Sequence, residues 1–552
     1  MGPLEWAAEP NLGPPDRPRR SLIYPGFGPG TLLLGLGMVV SVVLFGFTMP
    51  YYNKAASDMV SVYEALLFNS GLTQDFLVYP ALVDRVLLGW WFELLHTTGL
   101  IPISRLEEFS ALDDVKAYDA QWQTLVEAGR VFSLLMGVGC TVSIVALVYR
   151  WLGVWQIAVL AGTAFAFSSG VALGFRILRP EMLAATLTFS ALLVMIISAK
   201  QDRTIWRLLG LAGAGWLVSF AILDKVQSII PALALLPLAI AFGARPPAAG
   251  PKDERATWVW AAALALLALT ALWPAALILG QGIAAMTGTP INGGVYRAVG
   301  LSGRYQFATA ALIVAAMIGY AAIWRVSVAE TVAGIAAIGL GLAAGFDLLY
   351  LQSSLGAVVA VANPIEHLQA LSAGDGAQLL TQSPLAMLAT ILGAVGRSLA
   401  IHSFFLSPMH RPTLLLEWLS WGGLIVALRN GRTLMAVQIF LLLSCAIVQD
   451  AIFSLRQVKV YYLPYSDLPI VLAGALALSQ FKNRLMDPWS ERATLAMMIV
   501  YIVWGHAQPA LAVYSQHDKG KVCGIVVQFT KRMTIPYCAS KSKPAATGFD
   551  DS

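Results

Sequence analysis

The sequence predicts an all-α polytopic membrane protein with about 13 transmembrane helices, and its composition carries most of that prediction. Hydrophobic residues make up 58% of the 552 residues, and the mean hydropathy is +0.70. Charged residues make up 12%, against roughly 25% in a typical soluble domain. Because so much apolar surface cannot be hidden inside a compact globule, an ordinary soluble enzyme is excluded. The apolar residues also gather in runs of about 20, the length that crosses a bilayer as a helix.

The first 27 residues form a polar, proline-rich segment, which we predict to be a cytoplasmic tail. The segment carries Arg17, Arg19 and Arg20, and an apolar core begins only near Gly30, so it does not resemble a cleavable signal peptide. The apolar run 32–47 is therefore predicted to be the first span. Its basic flank is expected on the cytoplasmic side, where lysine and arginine are enriched in membrane proteins.

Twelve further apolar runs follow, and each is predicted to be a helix because lipid offers no partner to an open backbone. They cover residues 130–149, 154–172, 181–199, 206–223, 227–244, 257–280, 306–324, 328–350, 413–428, 432–453, 464–480 and 494–515.

Two apolar stretches, 80–100 and 385–407, are ambiguous because ionisable side chains interrupt them. If neither crosses the membrane, the basic clusters between the spans all fall on the side of the N-terminus, as the positive-inside rule requires. If 385–407 crossed, the basic hairpin Arg429–Arg432 would move outside. Both stretches are therefore predicted to be helices that lie on the outer surface of the membrane.

This topology places the N-terminus in the cytoplasm and divides the chain into three parts. Residues 1–27 are the tail, 28–515 are the transmembrane domain, and 516–552 are a tail on the outer face. The longest loop, about 51–129, lies outside and is expected to contain surface helices. Since long loops that share one face usually carry function, the chemistry is expected on the outer face.

The four cysteines divide into two groups. Cys140 and Cys445 lie within predicted spans, where they are expected to pack as small apolar residues. Cys523 and Cys538 lie in the outer tail and are expected to form a disulfide if that tail faces an oxidising compartment. Two free thiols are the alternative.

The residues that indicate chemistry are charges at the outer ends of spans, where burial is costly and function is the default interpretation. Asp58, soon after the first span, can serve as a general base or simply cap a helix. Glu181 follows Arg179 and Pro180 at a helix start, where the helix dipole alone explains an acid. Two nearby arginines on the outer face favour an anionic ligand.

Two further segments lie at the outer boundary. Lys225 separates two apolar runs with almost no loop between them, so it can bind a lipid phosphate or extend toward headgroups. The segment from Arg456 to Pro469 combines Arg456 and Lys459 with Tyr461 and Tyr462. Cations and phenols together suit a phosphorylated sugar, whereas tyrosines at an interface also form an ordinary aromatic belt.

Several site types are missing from the sequence. The chain has no HExxH, CxxC, Walker A or glycine-rich dinucleotide motif, and only 6 histidines. A histidine-rich metal site and a cytoplasmic nucleotide-binding domain are therefore not expected. The net charge of +5 over so long a chain gives no reason to expect a nucleic-acid partner.

The order of these segments resembles the C-superfamily of integral-membrane glycosyltransferases, closest to protein O-mannosyltransferases and the lipid A aminoarabinose transferase. The resemblance covers most of the chain, although each motif is weak alone. The matching segments are Asp58, Ala65–Gly71, Tyr79–Leu82, Arg130, Arg150–Trp155, Arg179–Glu181, Ala221–Lys225 and Lys459–Pro464.

This chain departs from the family pattern at three places, which indicates a divergent member and leaves the acceptor open. Met59 follows Asp58, where the family commonly has Asp-Glu. Ala81 interrupts the Pro-Pro-Leu motif, and Val226 follows Lys225 where the family has glycine.

The resemblance implies a reaction at the outer face of a bacterial inner (plasma) membrane. The enzyme would move a sugar from a polyprenyl-phosphate donor to a glycan, lipid or protein acceptor, with inversion. Asp58 would be the general base. No cofactor is implied, and a divalent metal is left open. The remaining implied roles are donor-phosphate binding by Lys225, Arg456, Lys459 and Tyr461, and lining of the cavity by Arg179, Glu181, Asp75 and Tyr462.

Two other functions stay open at this stage. A transporter or flippase for a lipid-linked glycan would explain the membrane domain, but such proteins often show internal repeats and charges at the midplane. Here the charges gather at the outer boundary, and we see no repeat. A glycan polymerase or ligase with a pyrophosphate-linked donor is the alternative within the enzyme class.

Overall fold

The computed structural model describes sixteen stretches of the chain. They are residues 27–49, 51, 57–72, 74, 81–110, 114–201, 203–242, 254–286, 290–291, 294–295, 304–324, 326–347, 384–403, 411–454, 460–481 and 488–515. The predictions on Asp75, Arg456, Lys459 and the pair Cys523 and Cys538 lie outside the described residues.

The described stretches are helical apart from turns and a two-residue antiparallel ladder, Pro290–Ile291 with Gly294–Val295, so the predicted all-α class is confirmed. The helices are α1 (Phe27–Val42), α2 (Asp58–Asn69), α3 (Leu82–Thr97), α4 (Val115–Leu152), α5 (Trp155–Ala166), α6 (Ser169–Gly174), α7 (Pro180–Ala199), α8 (Thr204–Asp224), α9 (Ile229–Phe242), α10 (Glu254–Met286), α11 (Arg304–Trp324), α12 (Val328–Phe346), α13 (Pro384–His402), α14 (Leu414–Arg429), α15 (Thr433–Ser454), α16 (Pro464–Ser479) and α17 (Pro488–Ser515).

Seven described helices are long and apolar enough to cross a membrane, fewer than the thirteen spans that the sequence predicts. Each of the thirteen predicted runs nevertheless lies largely on a helix. Short helices account for part of the difference: five further apolar helices have 10–17 residues, and four of them coincide with predicted spans. The run 154–172, for example, is divided into α5 and α6 by a break after Ala166.

Helix α4 is much longer than the span predicted at 130–149. Its 38 residues extend about 57 Å, against roughly 30 Å of bilayer hydrocarbon. Asp114 caps its start by accepting the Ala117 N–H at 3.0 Å, and Gly153, in the left-handed conformation, ends it. The first half of α4 packs with α2 and α3 into a separate apolar core, which includes Met59, Phe92 and Trp122.

The main apolar core lies among α1, α4, α5, α7 and the helices that follow them. Helices α8 and α12 approach most closely through Gly341 and Gly345, which form a small-xxx-small motif. A Cβ at Gly341 would lie 1.9 Å from the carbonyl oxygen of Ala212. Glycine is required there because it lets two helix backbones touch, as is common between helices in membranes.

Candidate functional site

Six of the residues that the sequence indicates lie at one end of the helical bundle. Asp58 starts α2, Glu181 lies in the first turn of α7 just after Arg179, and Lys225 follows the last residue of α8. Tyr461 and Tyr462 form a 3₁₀ turn before α16. Four separate segments of the chain therefore meet at this end, and each contributes a polar side chain. We call this set the outer-end cluster, after the side of the membrane on which the sequence predicts it.

Lys225 and Arg179 share one carboxylate at the centre of the outer-end cluster. The Lys225 Nζ lies 3.0 Å from Glu181 Oε1, and the Arg179 Nη1 lies 3.8 Å from the same oxygen. Pro180 at the start of α7 fixes the backbone, so that Glu181 points across to the end of α8. Burial lowers the pKa of the Lys225 ammonium, against the opposing effect of Glu181.

The two tyrosines cover the cations. The Arg179 guanidinium lies 4.3 Å from the ring centre of Tyr461, and the Lys225 ammonium lies 6.0 Å from that of Tyr462. Such cation–π contacts stabilise a partly desolvated cation. The side chain of Arg179 is 18% exposed, whereas those of Lys225 and Glu181 are nearly enclosed. A ligand that approaches this end therefore reaches Arg179 first.

Asp58 is fully buried, and both of its carboxylate oxygens accept hydrogen bonds. Oδ2 accepts from Arg130 Nε and Nη2 at 3.0 and 2.8 Å, and Oδ1 accepts from the Leu178 N–H at 2.8 Å. Burial raises the pKa of Asp58, while the Arg130 guanidinium acts in the opposite direction. In this state Asp58 joins α2 to α4 and to the residues before Arg179.

Arg130 also binds two backbone carbonyl groups, a contact that the sequence pattern did not indicate. Its Nη1 donates to the carbonyl oxygens of Gly46 and Met49 at 2.7 and 2.6 Å. These carbonyls lie in and just after the π-helical turn Val43–Phe47 that follows α1, where the Gly46 oxygen also accepts the Met49 N–H at 3.3 Å. A single guanidinium thus satisfies the end of α1 and the start of α2.

A pair of carboxyl groups, Asp84 and Asp224, lies beside Lys225. The Asp84 N–H donates to Asp224 Oδ1 at 3.0 Å, and the Ala81 N–H donates to the Asp224 carbonyl oxygen at 3.0 Å. Ala81 adopts a left-handed backbone with φ of +35°, which is strained for a residue with a Cβ. Burial, with the charge of Glu181, raises the pKa of Asp84 to about 7.

The sequence patterns did not indicate Asp84 or Asp224 as site residues. Asp84 lies in the ambiguous stretch 80–100, and its charge there suggested only a surface helix. The available signal was the Asp-Lys pair at 224–225, because two ionisable residues between apolar runs are expensive to bury without a partner.

A second buried ionic cluster lies near the same ends of α13–α16, and the sequence interpretation missed it. Arg411 is central: its Nε lies 2.8 Å from Asp467 Oδ1, and its Nη1 lies 2.6 Å from Asp450 Oδ2. His402 lies 3.0 Å from the same Asp450 oxygen and 2.7 Å from Glu417. We call these five residues the Arg411 cluster. All three carboxylates of the cluster lie inside predicted spans. Acidic residues within spans were the signal by which the sequence could have indicated this cluster.

The described residues also form a groove at the opposite end of the bundle. Together with the open solvent at its mouth it measures about 580 Å³, and Arg207 and Glu330 pair in its wall at 2.5 Å. The rest of the lining is mainly apolar, from the last turns of α7 and from α8 and α9. None of the residues that the sequence indicates lines this groove.

Within the described ranges, no group of three or more histidine, cysteine, aspartate or glutamate residues is placed to hold a metal ion. The ionisable groups of the outer-end cluster are instead paired with cations or with each other. Such an arrangement suits an anionic group that is drawn to Arg179 and Lys225.

Comparison with known proteins gives no relative for this chain. No protein-family model matches it, no curated protein is similar to it in sequence, and no solved structure matches its fold.

Proposed function

We propose that the protein is a membrane glycosyltransferase that uses a polyprenyl-phosphate sugar as donor. The observation that carries the proposal is the outer-end cluster, where Arg179 and Lys225 meet over Tyr461 and Tyr462 beside buried carboxyl groups. Fixed cations recognise a phosphate, and aromatic rings at a membrane boundary suit the sugar and the lipid next to it. The charged groups of the cluster also come from the segments on which the family resemblance depends.

The proposed reaction is a direct displacement at the anomeric carbon of the donor. The acceptor oxygen forms a bond to that carbon, the bond from carbon to phosphate oxygen breaks, and the polyprenyl phosphate leaves with the electron pair. Lys225 and Arg179 stabilise the growing negative charge on the phosphate, which is the largest catalytic contribution expected here. For Arg456 and Lys459, binding of the donor phosphate stays a prediction from the sequence.

Asp58 accepts the acceptor's proton in this proposal, as the resemblance implies. Its Oδ1 accepts one hydrogen bond, from the Leu178 N–H, and so keeps the capacity to accept a second from an acceptor hydroxyl. Burial raises the pKa of Asp58, which makes its carboxylate a stronger base than an exposed aspartate.

The proposed topology has 13 spans, with the N-terminus in the cytoplasm and the outer-end cluster on the outer face of a bacterial inner membrane. The basic residues support it. Lys200–Arg207 joins α7 to α8, and Arg429–Arg432 joins α14 to α15, both at the ends of these helices far from the cluster. The apolar helices themselves indicate a bilayer environment.

The direct test is transfer by the purified protein in detergent. The full chain is incubated with a labelled polyprenyl-phosphate sugar and an acceptor extract from membranes, and labelled product is measured. We expect transfer without a sealed compartment, a condition under which flipping cannot be detected. If a panel of donor sugars gives no product while the protein is folded, the enzymatic proposal is wrong.

The Lys225→Ala variant tests whether Lys225 binds the phosphate of the donor. We expect it to weaken donor binding by about tenfold or more, since a hydrogen bond to a charged group contributes roughly 1.5–3 kcal/mol. Lys225→Arg, which keeps the charge, is the control and should retain most of the affinity. Equal affinities for the wild type and the alanine variant would remove Lys225 from the donor site.

A transporter for a lipid-linked glycan is the second candidate, and the Arg411 cluster favours it. Ionisable residues inside a membrane domain commonly mark ion or substrate pathways. Transport is measured in sealed vesicles, either with an applied gradient or with an assay of which leaflet holds the lipid. If vesicles accumulate the labelled lipid on one leaflet while detergent-solubilised protein makes no product, the second candidate replaces the first.

A further inference from the structure

Among the described residues, the charges around Lys225 do not balance when every acidic group is ionised. Asp84, Asp224 and Glu181 provide three carboxyl groups, while Lys225 and Arg179 provide two cations. Glu181 Oε1 already pairs with both cations. Asp224 Oδ1 accepts the Asp84 N–H, but Asp224 Oδ2 is buried and has no hydrogen-bond partner in the described part of the chain.

A buried carboxylate oxygen without a partner is costly unless the group takes up a proton or a ligand supplies one. Two neighbouring carboxyl groups commonly share a single proton, because both cannot ionise at close range. Asp84 is held next to Asp224 by backbone hydrogen bonds at the strained turn of Ala81. The geometry therefore keeps the two carboxyl groups together although their charges repel each other.

We propose that Arg179, Lys225 and the Asp84–Asp224 pair form one site, which binds the phosphate of a prenyl phosphodiester together with one proton. The inference deepens the proposed function and rests on it. The cations supply attraction for the anion, and the protonated pair removes a negative charge that would otherwise repel the anion.

Other ionisable groups surround the pair from each element packed against it. Glu181 and Arg179 on the α7 side are ion-paired, as are Asp58 and Arg130 on α2 and α4. The remaining neighbours are Arg85 with Glu64, the Cys140 thiol on α4, and the phenols Tyr462 and Tyr465. Unlike the carboxylates of Glu64, Asp58 and Glu181, those of Asp84 and Asp224 form no ion pair in the described part of the chain, so the titration is assigned to them.

The sign of the pH dependence follows from this coupling. A bound anion raises the pKa of the neighbouring pair, which takes up a proton on binding. Affinity is thus constant where the pair is protonated in both states. It falls as the pH rises above the pKa of Asp84, about 7, by up to tenfold per pH unit.

The experiment measures the dissociation constant of farnesyl methyl phosphate for the full chain in detergent, from pH 5.5 to 8.5. This diester carries one charge that does not titrate in the range. For the wild type we expect constant affinity below about pH 7 and a fall above it. Calorimetry at pH 8 in two buffers of different ionisation enthalpy should show uptake of nearly one proton per ligand.

Asp84→Asn is the critical variant, and Asp224→Asn is the second should the first fail to fold. Each variant removes one of the two carboxyl groups that share the proton. We therefore expect the variant to keep, up to pH 8.5, the affinity that the wild type shows at low pH. Glu64→Gln is the control, because Glu64 is a buried carboxylate paired with Arg85 on the neighbouring helix. The affinity of this control variant should fall with rising pH as steeply as that of the wild type.

Two results would overturn the inference. One is a wild-type affinity that does not change with pH, and the other is an Asp84→Asn variant whose affinity still falls as the pH rises. Binding that Lys225→Ala does not weaken would instead contradict the proposed donor site. The failures of the inference and of the proposed function are therefore distinguishable.

Discussion

Asp58 combines two requirements that conflict with each other. A general base needs an oxygen that a substrate can reach, yet Asp58 is enclosed and bonded to Arg130 and to the Leu178 N–H. The same ion pair fixes the start of α2 against α4. Loss of the Asp58 charge would therefore affect stability and chemistry together, and a test must separate the two effects.

Asp58→Asn should reduce sugar transfer by about 10²–10⁴-fold, the usual contribution of a general base. The asparagine keeps an oxygen for the Leu178 N–H but does not accept a proton. Glu64→Gln is the matched control, since it also removes a buried, arginine-paired carboxylate from α2. Both variants should lose stability in thermal unfolding, and only the first should lose transfer. Turnover of the asparagine variant at the wild-type rate would remove Asp58 from the mechanism.

The position of a charge along the sequence was enough to indicate Glu181 and Lys225 but not their partners. Both adjoin apolar runs, where an isolated charge has no obvious solvation. Asp84 pairs with Asp224 only because the chain returns after 140 residues to the end of α8. No local pattern encodes such a contact, so one sequence cannot reveal it.

At the level of elements, the turn before α16 is held in place by a close contact with α6. Gly170 lies against this turn: a Cβ there would be 2.3 Å from Pro464 Cδ and 2.7 Å from the Val460 carbonyl oxygen. The same turn carries Tyr461 and Tyr462 to the cations. The packing of a six-residue helix therefore determines where the aromatic rings lie.

Gly170→Ala should displace this turn and destabilise the protein by about 1–3 kcal/mol, the usual cost of overpacking. The affinity for the prenyl phosphodiester should fall as well, because the rings move away from Arg179 and Lys225. Gly139→Ala on α4 is the control, since a Cβ there meets nothing within 4 Å. Thermal unfolding and ligand binding are the two measurements. If both alanine variants behave like the wild type, the turn is not fixed by α6.

The Arg411 cluster ties α14, α15 and α16 together through a cation enclosed by carboxylates. Arg411→Gln should destabilise the protein by about 3–5 kcal/mol, because Asp450 and Asp467 would remain buried without their cation. Arg105→Gln breaks an exposed pair with Glu93 and should cost less than about 1 kcal/mol. Chemical denaturation in detergent compares the two. A small effect at Arg411 would mean that the carboxyl groups are already protonated.

At the scale of the whole molecule, the positions of the helices were largely predictable, whereas their lengths were not. The thirteen predicted runs all coincide with helices because hydrophobicity marks them directly. Helix α4 begins 15 residues before its predicted span, since the polar residues from Val115 to Gly129 carry no membrane signal but continue the same helix. The described parts of the stretches 80–100 and 385–407 contain the helices α3 and α13.

The proposed topology makes its own prediction. A reporter fused after Arg432 should lie in the cytoplasm, and one fused after Ser515 should lie outside, because the basic hairpin stays on the inner side. Paired reporters, one active only in the cytoplasm and one active only outside, give the measurement. The opposite pattern at either fusion would require one of the ambiguous helices to cross.

Arg130 has a consequence for how the protein sits in bilayers of different thickness. Its bonds to the carbonyls of Gly46 and Met49 fix where α1 ends relative to the middle of α4. That junction cannot slide, so hydrophobic mismatch has to be relieved by tilting or by adjustment at the far ends of the helices. Lipids with shorter or longer acyl chains should therefore disturb the groove at Arg207 and Glu330 more than the ends that hold Lys225.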